Sequence, residues 1–414
     1  MSAIIRKSLL QLVFSGAFMK RWNDRLRPME LMEVDKQAHK MIVAWMLLTR
    51  ITAHMDMEER LALVEEVIEG GIFDYFFRLV ITDIKPPVFY KIKANREDYQ
   101  KLTQWVLPQL KPRLAPLGQA FWERMTAALM EPEEKTLSRR ILMAAHLYAS
   151  YSEFRVLKPL NPHDEEMPEI EESFRTRLSG LVDIPGVADL LAGNNEFGRF
   201  AARAGQLRFQ KRWSQTPRVP ETTVLGHMFL VATYAWFFSV EAGACQARRQ
   251  NNFFTGLFHD LPELLTRDII SPVKSADASI GELIKQYENQ ELERKILGPL
   301  KNGQCEDLAA RLSYLLGLDV GSEFIATVRE NGEAHNVTEA DLRGPMNRDE
   351  LDPKDGPLLK MCDRLAAFIE ADTALRNGIN NEQLHQARWR IRQMYEHRPE
   401  VMGIQVGALL ADFD

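Results

Sequence analysis

One property constrains the fold of this chain above all others: its sequence is written twice. FMKRW at 18–22 recurs as FQKRW at 209–213. His39 lies 17 residues after Trp22 and His227 lies 14 after Trp213, each opening an apolar helical pattern. GIFDYFFRLVITDIKPPV at 71–88 recurs without a gap as GLFHDLPELLTRDIISPV at 256–273, and AAHLYASYSEF at 144–154 parallels MCDRLAAFIEA at 361–371. Four blocks in the same order predict an internal duplication, so whatever unit folds here folds twice. The 414 residues accommodate two such units at roughly 100–200 residues each. The units are expected at 1–157 and 176–414, joined over 158–175 by an acidic, proline-containing linker without helical periodicity. Tyr75 to His146 spans 71 positions and Asp260 to Asp363 spans 103, so the second unit carries 32 extra residues. The excess is an insertion at about 316–350, in which β-rich FIATVR and AHNVT flank Asn331-Gly332 and predict a small β-hairpin.

Elsewhere the apolar residues recur at helical spacing, so the expected fold is all-α: two tandem helical bundles with that one hairpin in the second. With 45% hydrophobic and 27% charged residues the composition is that of a soluble globular protein. A net charge of −6 provides no basic field for coating duplex nucleic acid. The three cysteines have no CxxC spacing and fit a reducing compartment. No apolar run reaches the roughly 20 residues of a membrane span. The N-terminal IIRKSLLQLVFSGAFMKRW lacks a small-residue cleavage site and reads as an amphipathic helix. The expectation is a cytoplasmic protein without membrane association, and homodimerisation is compatible with the sequence.

The residues able to do chemistry gather in the second unit. His259-Asp260 is followed at helical spacing by Glu263, which a continuous helix would turn toward the same cavity. His227 upstream and Asp363 downstream add an imidazole and a carboxylate. Such an N/O set suits one divalent metal ion: Mn, Co, Mg, Zn or Fe.

The ordered pattern His227, His259-Asp260, Asp363 resembles the HD-domain superfamily of metal-dependent phosphohydrolases. Arg212-Trp213 ahead of the first histidine, the string HDLPELLTRD and the following SPVK look like its 5′-deoxynucleotidase branch. The resemblance, from about 209 to 371, implies an all-helical fold and removal of phosphate from a (deoxy)nucleoside 5′-monophosphate. It implies His227, His259, Asp260 and Asp363 as metal ligands, with Glu263 and Asp268 performing proton transfer for the attacking water. Arg212, Trp213 and Lys274 would then contact substrate, Arg212 by its planar fork. Two departures stand out: Leu225-Gly226 precede the first histidine where the branch has an acidic residue, and the 32-residue insertion is absent from compact members. Arg21-Trp22 persists in the first unit, which assigns the pair a partly structural role.

That first unit reads as catalytically dead. Asp74-Tyr75 stand opposite the His-Asp pair, Arg78 opposite Glu263 and His146 opposite Asp363, while His39 and Asp83 survive. Only His335 lies between His259 and Asp363, so a single metal is expected. The partner is a small nucleotide or other phosphoester. Phosphodiester or nucleoside triphosphate hydrolysis, and nucleotide sensing with little turnover, are the alternatives.

Overall fold

The computed structural model describes residues 5–131, 135–267 and 277–414. The fold is all-α, with three very short antiparallel strand pairs among the described residues. The expected hairpin forms from Thr327–Glu330 and Glu333–Asn336. Asn331 and Gly332 connect its strands, both at positive φ (51° and 86°), as a type I′ turn requires.

Each half builds the same local frame around its first long helix. Lys20–Arg21 pairs with Leu31–Met32, after which Glu33–Ile51 runs as a helix. In the second half Lys211 bridges Thr223, after which Val224–Glu241 runs as a helix. Trp22 and Trp213 both turn the chain at φ 56°. This register sets Met32 against Thr223, and therefore Lys36, not His39, at the position of His227. His39 lies one helical turn further along, where it accepts no metal-site neighbour: its Nε2 meets the Ala201 carbonyl at 2.8 Å and its Nδ1 meets Arg208 at 2.9 Å.

The two first helices pack on one another at the centre of the molecule, and one apolar core runs through both halves. Tyr75 meets Phe229 edge-on (5.0 Å between centroids), and Trp45 meets Phe258 in the same way at 4.6 Å. Val224–Glu241 is apolar enough to cross a membrane by composition, but 89% of it is buried inside the protein as a core helix.

The stretch expected as a linker is structured instead. A 3-10 turn covers Lys158–Leu160 and a helix covers Met167–Ser179. Pro159 and Pro168 fall in the first turn of these elements, where a missing N–H costs nothing. Met167, Ile170 and Phe174 form a stripe that packs against Phe154 and Leu157, while the glutamates face outward.

Where the first helices meet, Asp35 of the first half is fully buried against the start of the Val224–Glu241 helix. Thr223 caps that helix, accepting from Gly226 N (3.0 Å), and donates its hydroxyl to Asp35 Oδ1 at 2.6 Å. Gly226 is required here, because a Cβ would lie 2.6 Å from Asp35 Oδ1. Burial raises the Asp35 carboxyl to about 7, against the opposing Thr223 hydrogen bond. Folded chains therefore hold the proton up to about pH 7, whereas unfolded chains release it near 4. Stability attributable to this group falls as pH rises between those values, and the whole penalty is present above 7. Asp35→Asn is expected to stabilise the protein by up to a few kcal/mol at pH 8 and by little at pH 4. Urea unfolding at both pH values checks this; an equal difference at both would reject the buried-proton account.

Candidate metal centre

The site is assembled by three helices and one break. Val224–Glu241 presents His227 on its first turn, and Gly356–Arg376 presents Asp363 at mid-helix. The break follows Gln246–Phe258, where Pro262 cannot donate to the Phe258 carbonyl; Leu261 N takes that carbonyl instead at 2.8 Å. The chain turns through His259-Asp260, and a short helix restarts at Glu263–Thr266. A continuous helix was expected to carry His259, Asp260 and Glu263. The turn replaces it, and lets two adjacent residues face one point. In the first half the equivalent Asp74 and Tyr75 sit within the unbroken Met57–Ile81 helix, and Tyr75 points away to donate to the Val13 carbonyl at 2.5 Å.

Ligand-capable atoms of His227, His259 and Asp363 lie within 4.8 Å of one another. His227 Nε2 is 3.2 Å from Asp363 Oδ1 and 3.7 Å from Asp260 Oδ2, which in turn lies 3.2 Å from His259 Nε2. His259 Nδ1 meets the Gly256 carbonyl at 2.8 Å, which fixes the proton on Nδ1 and leaves Nε2 as a lone pair. Nε2 is buried, makes no hydrogen bond among the described residues, and faces carboxylates. A lone pair opposed by anionic oxygens is unfavourable unless a proton or a metal cation lies between them. The donor set thus fits a divalent ion held by His227, His259, Asp363 and Asp260. Burial opposes charge on these groups, but the mutual attraction of His259 with Asp260 and Asp363 raises the imidazole. Asp260 and Asp363 are held well below the usual carboxylate range, Asp260 by His259, His227 and Arg212, Asp363 by Lys360 and the two histidines.

Around the ligands stand residues that the sequence reading did not single out. Glu370 is completely buried and places Oε1 3.6 Å from His227 Nδ1. It accepts from Thr222 Oγ1 (2.7 Å), Trp213 Nε1 (2.9 Å) and Arg212 Nε (3.5 Å). Despite burial, Arg212, Arg218 and His227 keep its carboxyl well below the usual range. Lys360 Nζ donates to Asp363 Oδ2 at 2.9 Å. From the insertion, Phe324 lies edge-on to His259 (6.4 Å), and its backbone rests on Gly356, where any Cβ would strike Phe324 C at 2.1 Å.

Arg212 and Trp213 were expected as substrate contacts. The structure uses both to bracket Glu370, and Arg212 Nη1 also donates to Asp260 at 3.3 Å. The first half repeats the bracket: Arg21 Nε and Trp22 Nε1 donate to buried Glu153 at 2.9 and 3.0 Å. Glu263 is buried at the break, its amide donating to the Asp260 carbonyl at 3.1 Å, but it stands outside the ligand cluster. Asp268 and Lys274 lie outside the described residues.

Residues 204–392 match the HD domain family model. The matched segment contains His227, His259, Asp260, Asp363 and Glu370, and similarity to this family suggests metal-dependent phosphohydrolase activity in general. No curated protein and no solved structure matches the chain.

Proposed function

We propose that the HD segment hydrolyses a phosphomonoester, with a (deoxy)nucleoside 5′-monophosphate as the leading substrate class. The observation carrying this reading is the cluster of two imidazoles and Asp363 within 4.8 Å, with His259 Nε2 directed into it as a buried lone pair. A divalent ion bound there supplies Lewis acidity toward a phosphoryl oxygen and makes water a competent nucleophile at neutral pH. Glu370 stands 3.6 Å from His227 Nδ1 as the carboxylate facing that ring, the Gly256 carbonyl fixes the ring of His259, and Lys360 anchors Asp363. Glu263, buried beside the His259-Asp260 turn, is the group assigned to accept the proton of the attacking water, with Asp268 assisting at the leaving oxygen. Arg212 neutralises phosphoryl charge from its place between Asp260 and Glu370. A cavity of about 250 Å³ lies on the loop of residues 211–218, lined by Arg212, Trp213, Arg218 and Glu221, and shares only Arg212 with the contacts of Asp260. Residues 1–157 are a second, degenerate copy of the same unit, a reading supported by the repeated Arg-Trp-Glu bracket.

The test is phosphate release from ribo- and deoxyribonucleoside 5′-monophosphates after metals are stripped and Mn, Co, Mg or Zn is restored. Release is expected only with metal and strongest for deoxynucleotides. Metal binding without release from any monophosphate would overturn the assignment and direct attention to diesters and triphosphates.

A further inference from the structure

The first half has lost the chemistry of a metal centre and replaced it with positive charge. Strand register puts Lys36 at the position of His227, and the sequence blocks put His146 at the position of Asp363. Asp74, opposite His259, is occupied by Lys40 (2.9 Å) and Arg139 (3.0 Å). Arg78, opposite Glu263, reaches Asp83 at 2.9 Å and Glu33 at 3.7 Å.

Lys36 is the anomaly. Its side chain is 4% exposed, yet its ammonium makes no hydrogen bond among the described residues. Its nearest carboxylate, Glu33 Oε1, is 3.7 Å away. Glu33 is already engaged by Arg21 (2.8 Å) and Gln37 (2.7 Å). Glu153, another buried carboxylate here, accepts from Arg21 and Trp22 and pairs with Arg208 at 3.3 Å. His146 is half-buried on the Leu137–Leu157 helix, and burial, together with Lys36, Lys40, Arg21 and Arg177, holds its imidazole neutral, well below the usual range. Burial, joined by Arg21 and Lys40 and only partly offset by Glu33, pushes the Lys36 ammonium down to about 7. Buried cations ordinarily occur paired; here the pair is incomplete on the protein's side.

We propose that the N-terminal half binds the phosphate group of a small molecule between Lys36 and His146, with Arg21, Lys40 and Arg78 supplying the surrounding field. A dianionic oxyanion offers acceptors to the ammonium and the imidazole N–H together and balances the excess charge. A second metal ion is disfavoured there, because an ammonium occupies the position of one imidazole ligand. The inference stands independently of what the HD segment hydrolyses.

Isothermal titration with inorganic phosphate, on the metal-stripped full chain, tests it. His259→Ala serves as the background that removes phosphate held through the HD site. One phosphate per chain is expected to remain in that background. Lys36→Met should weaken it at least about tenfold, the loss of a charge-assisted hydrogen bond. His146→Asp should also abolish it, by giving Lys36 an internal carboxylate partner. Lys36→Met is further expected to melt at higher temperature than the parent in phosphate-free buffer and to lose the phosphate-induced rise. No phosphate binding in the His259→Ala chain, or unchanged affinity in either folded variant, would overturn the proposal.

Discussion

Glu370→Ala is expected to cost about 3–5 kcal/mol of stability and to reduce metal affinity and turnover by at least about 10–100-fold. Glu370 is the acceptor for Arg212, Trp213 and Thr222, and alanine leaves the partly buried Arg212 with Asp260 alone and takes the acceptor from the Trp213 indole and the buried Thr222 hydroxyl. It also removes the carboxylate that stands 3.6 Å from His227 Nδ1. Glu370→Gln separates these effects. The amide retains the shape and an acceptor oxygen, so the stability loss shrinks, while the charge that polarises His227 disappears and metal affinity still falls. Glu153→Gln is the internal control, because it disturbs the matching Arg21-Trp22 bracket without touching the ligand cluster. It should lower stability similarly and leave metal affinity at the HD site unchanged. Urea unfolding with metal titration of all three variants decides the matter: wild-type metal affinity in Glu370→Gln would remove Glu370 from the positioning of His227.

The comparison of the two brackets shows how much of the site was legible beforehand. The two AAHLYASYSEF-type blocks both carry Glu at the tenth position, Glu153 and Glu370, and both halves keep Arg-Trp. Arg21-Trp22 persists because both halves build the same bracket, and its partner is the glutamate at that tenth position. His39 was matched to His227 by allowing a three-residue gap, whereas the strand pairs have equal loops and put Lys36 there. Pro262 likewise announced the helix break that aims His259 and Asp260 together. The apolar stripe of Met167, Ile170 and Phe174 was masked by the surrounding glutamates and prolines, so a helix was read as a linker. The hairpin and the all-α architecture were legible because turn chemistry and helical periodicity are local. Phe324 was not, since nothing local says that an insertion folds back onto a histidine 65 positions earlier in the chain.

Asp355→Ala is expected to destabilise by about 3–5 kcal/mol, through the arrangement of the ligand helices rather than the ligands themselves. Arg248 and Asp355 are both 0% exposed and joined as an ion pair, with Arg248 also donating to the Leu342 carbonyl at 2.8 Å. Arg248 sits on the helix that ends at His259, and Asp355 caps the helix that carries Asp363, accepting from Leu358 N at 3.1 Å. Asn252 extends the brace, accepting from Asp355 N (2.8 Å) and donating to Ser239 Oγ (2.8 Å) on the His227 helix. One polar network thus ties together the helices that carry His227 and Asp363 and the helix that ends before His259. Removing the Asp355 side chain strands a buried guanidinium and uncaps a helix. Arg248→Met combined with Asp355→Leu removes both charges, and should recover most of the loss because the desolvation penalty disappears with them. The double variant should nevertheless bind metal more weakly than the parent, since an apolar contact fixes helix register less tightly than a directed ion pair. Denaturant unfolding of the singles and the double supplies the coupling energy. A double variant no more stable than Asp355→Ala would mean that the brace acts through its cap alone.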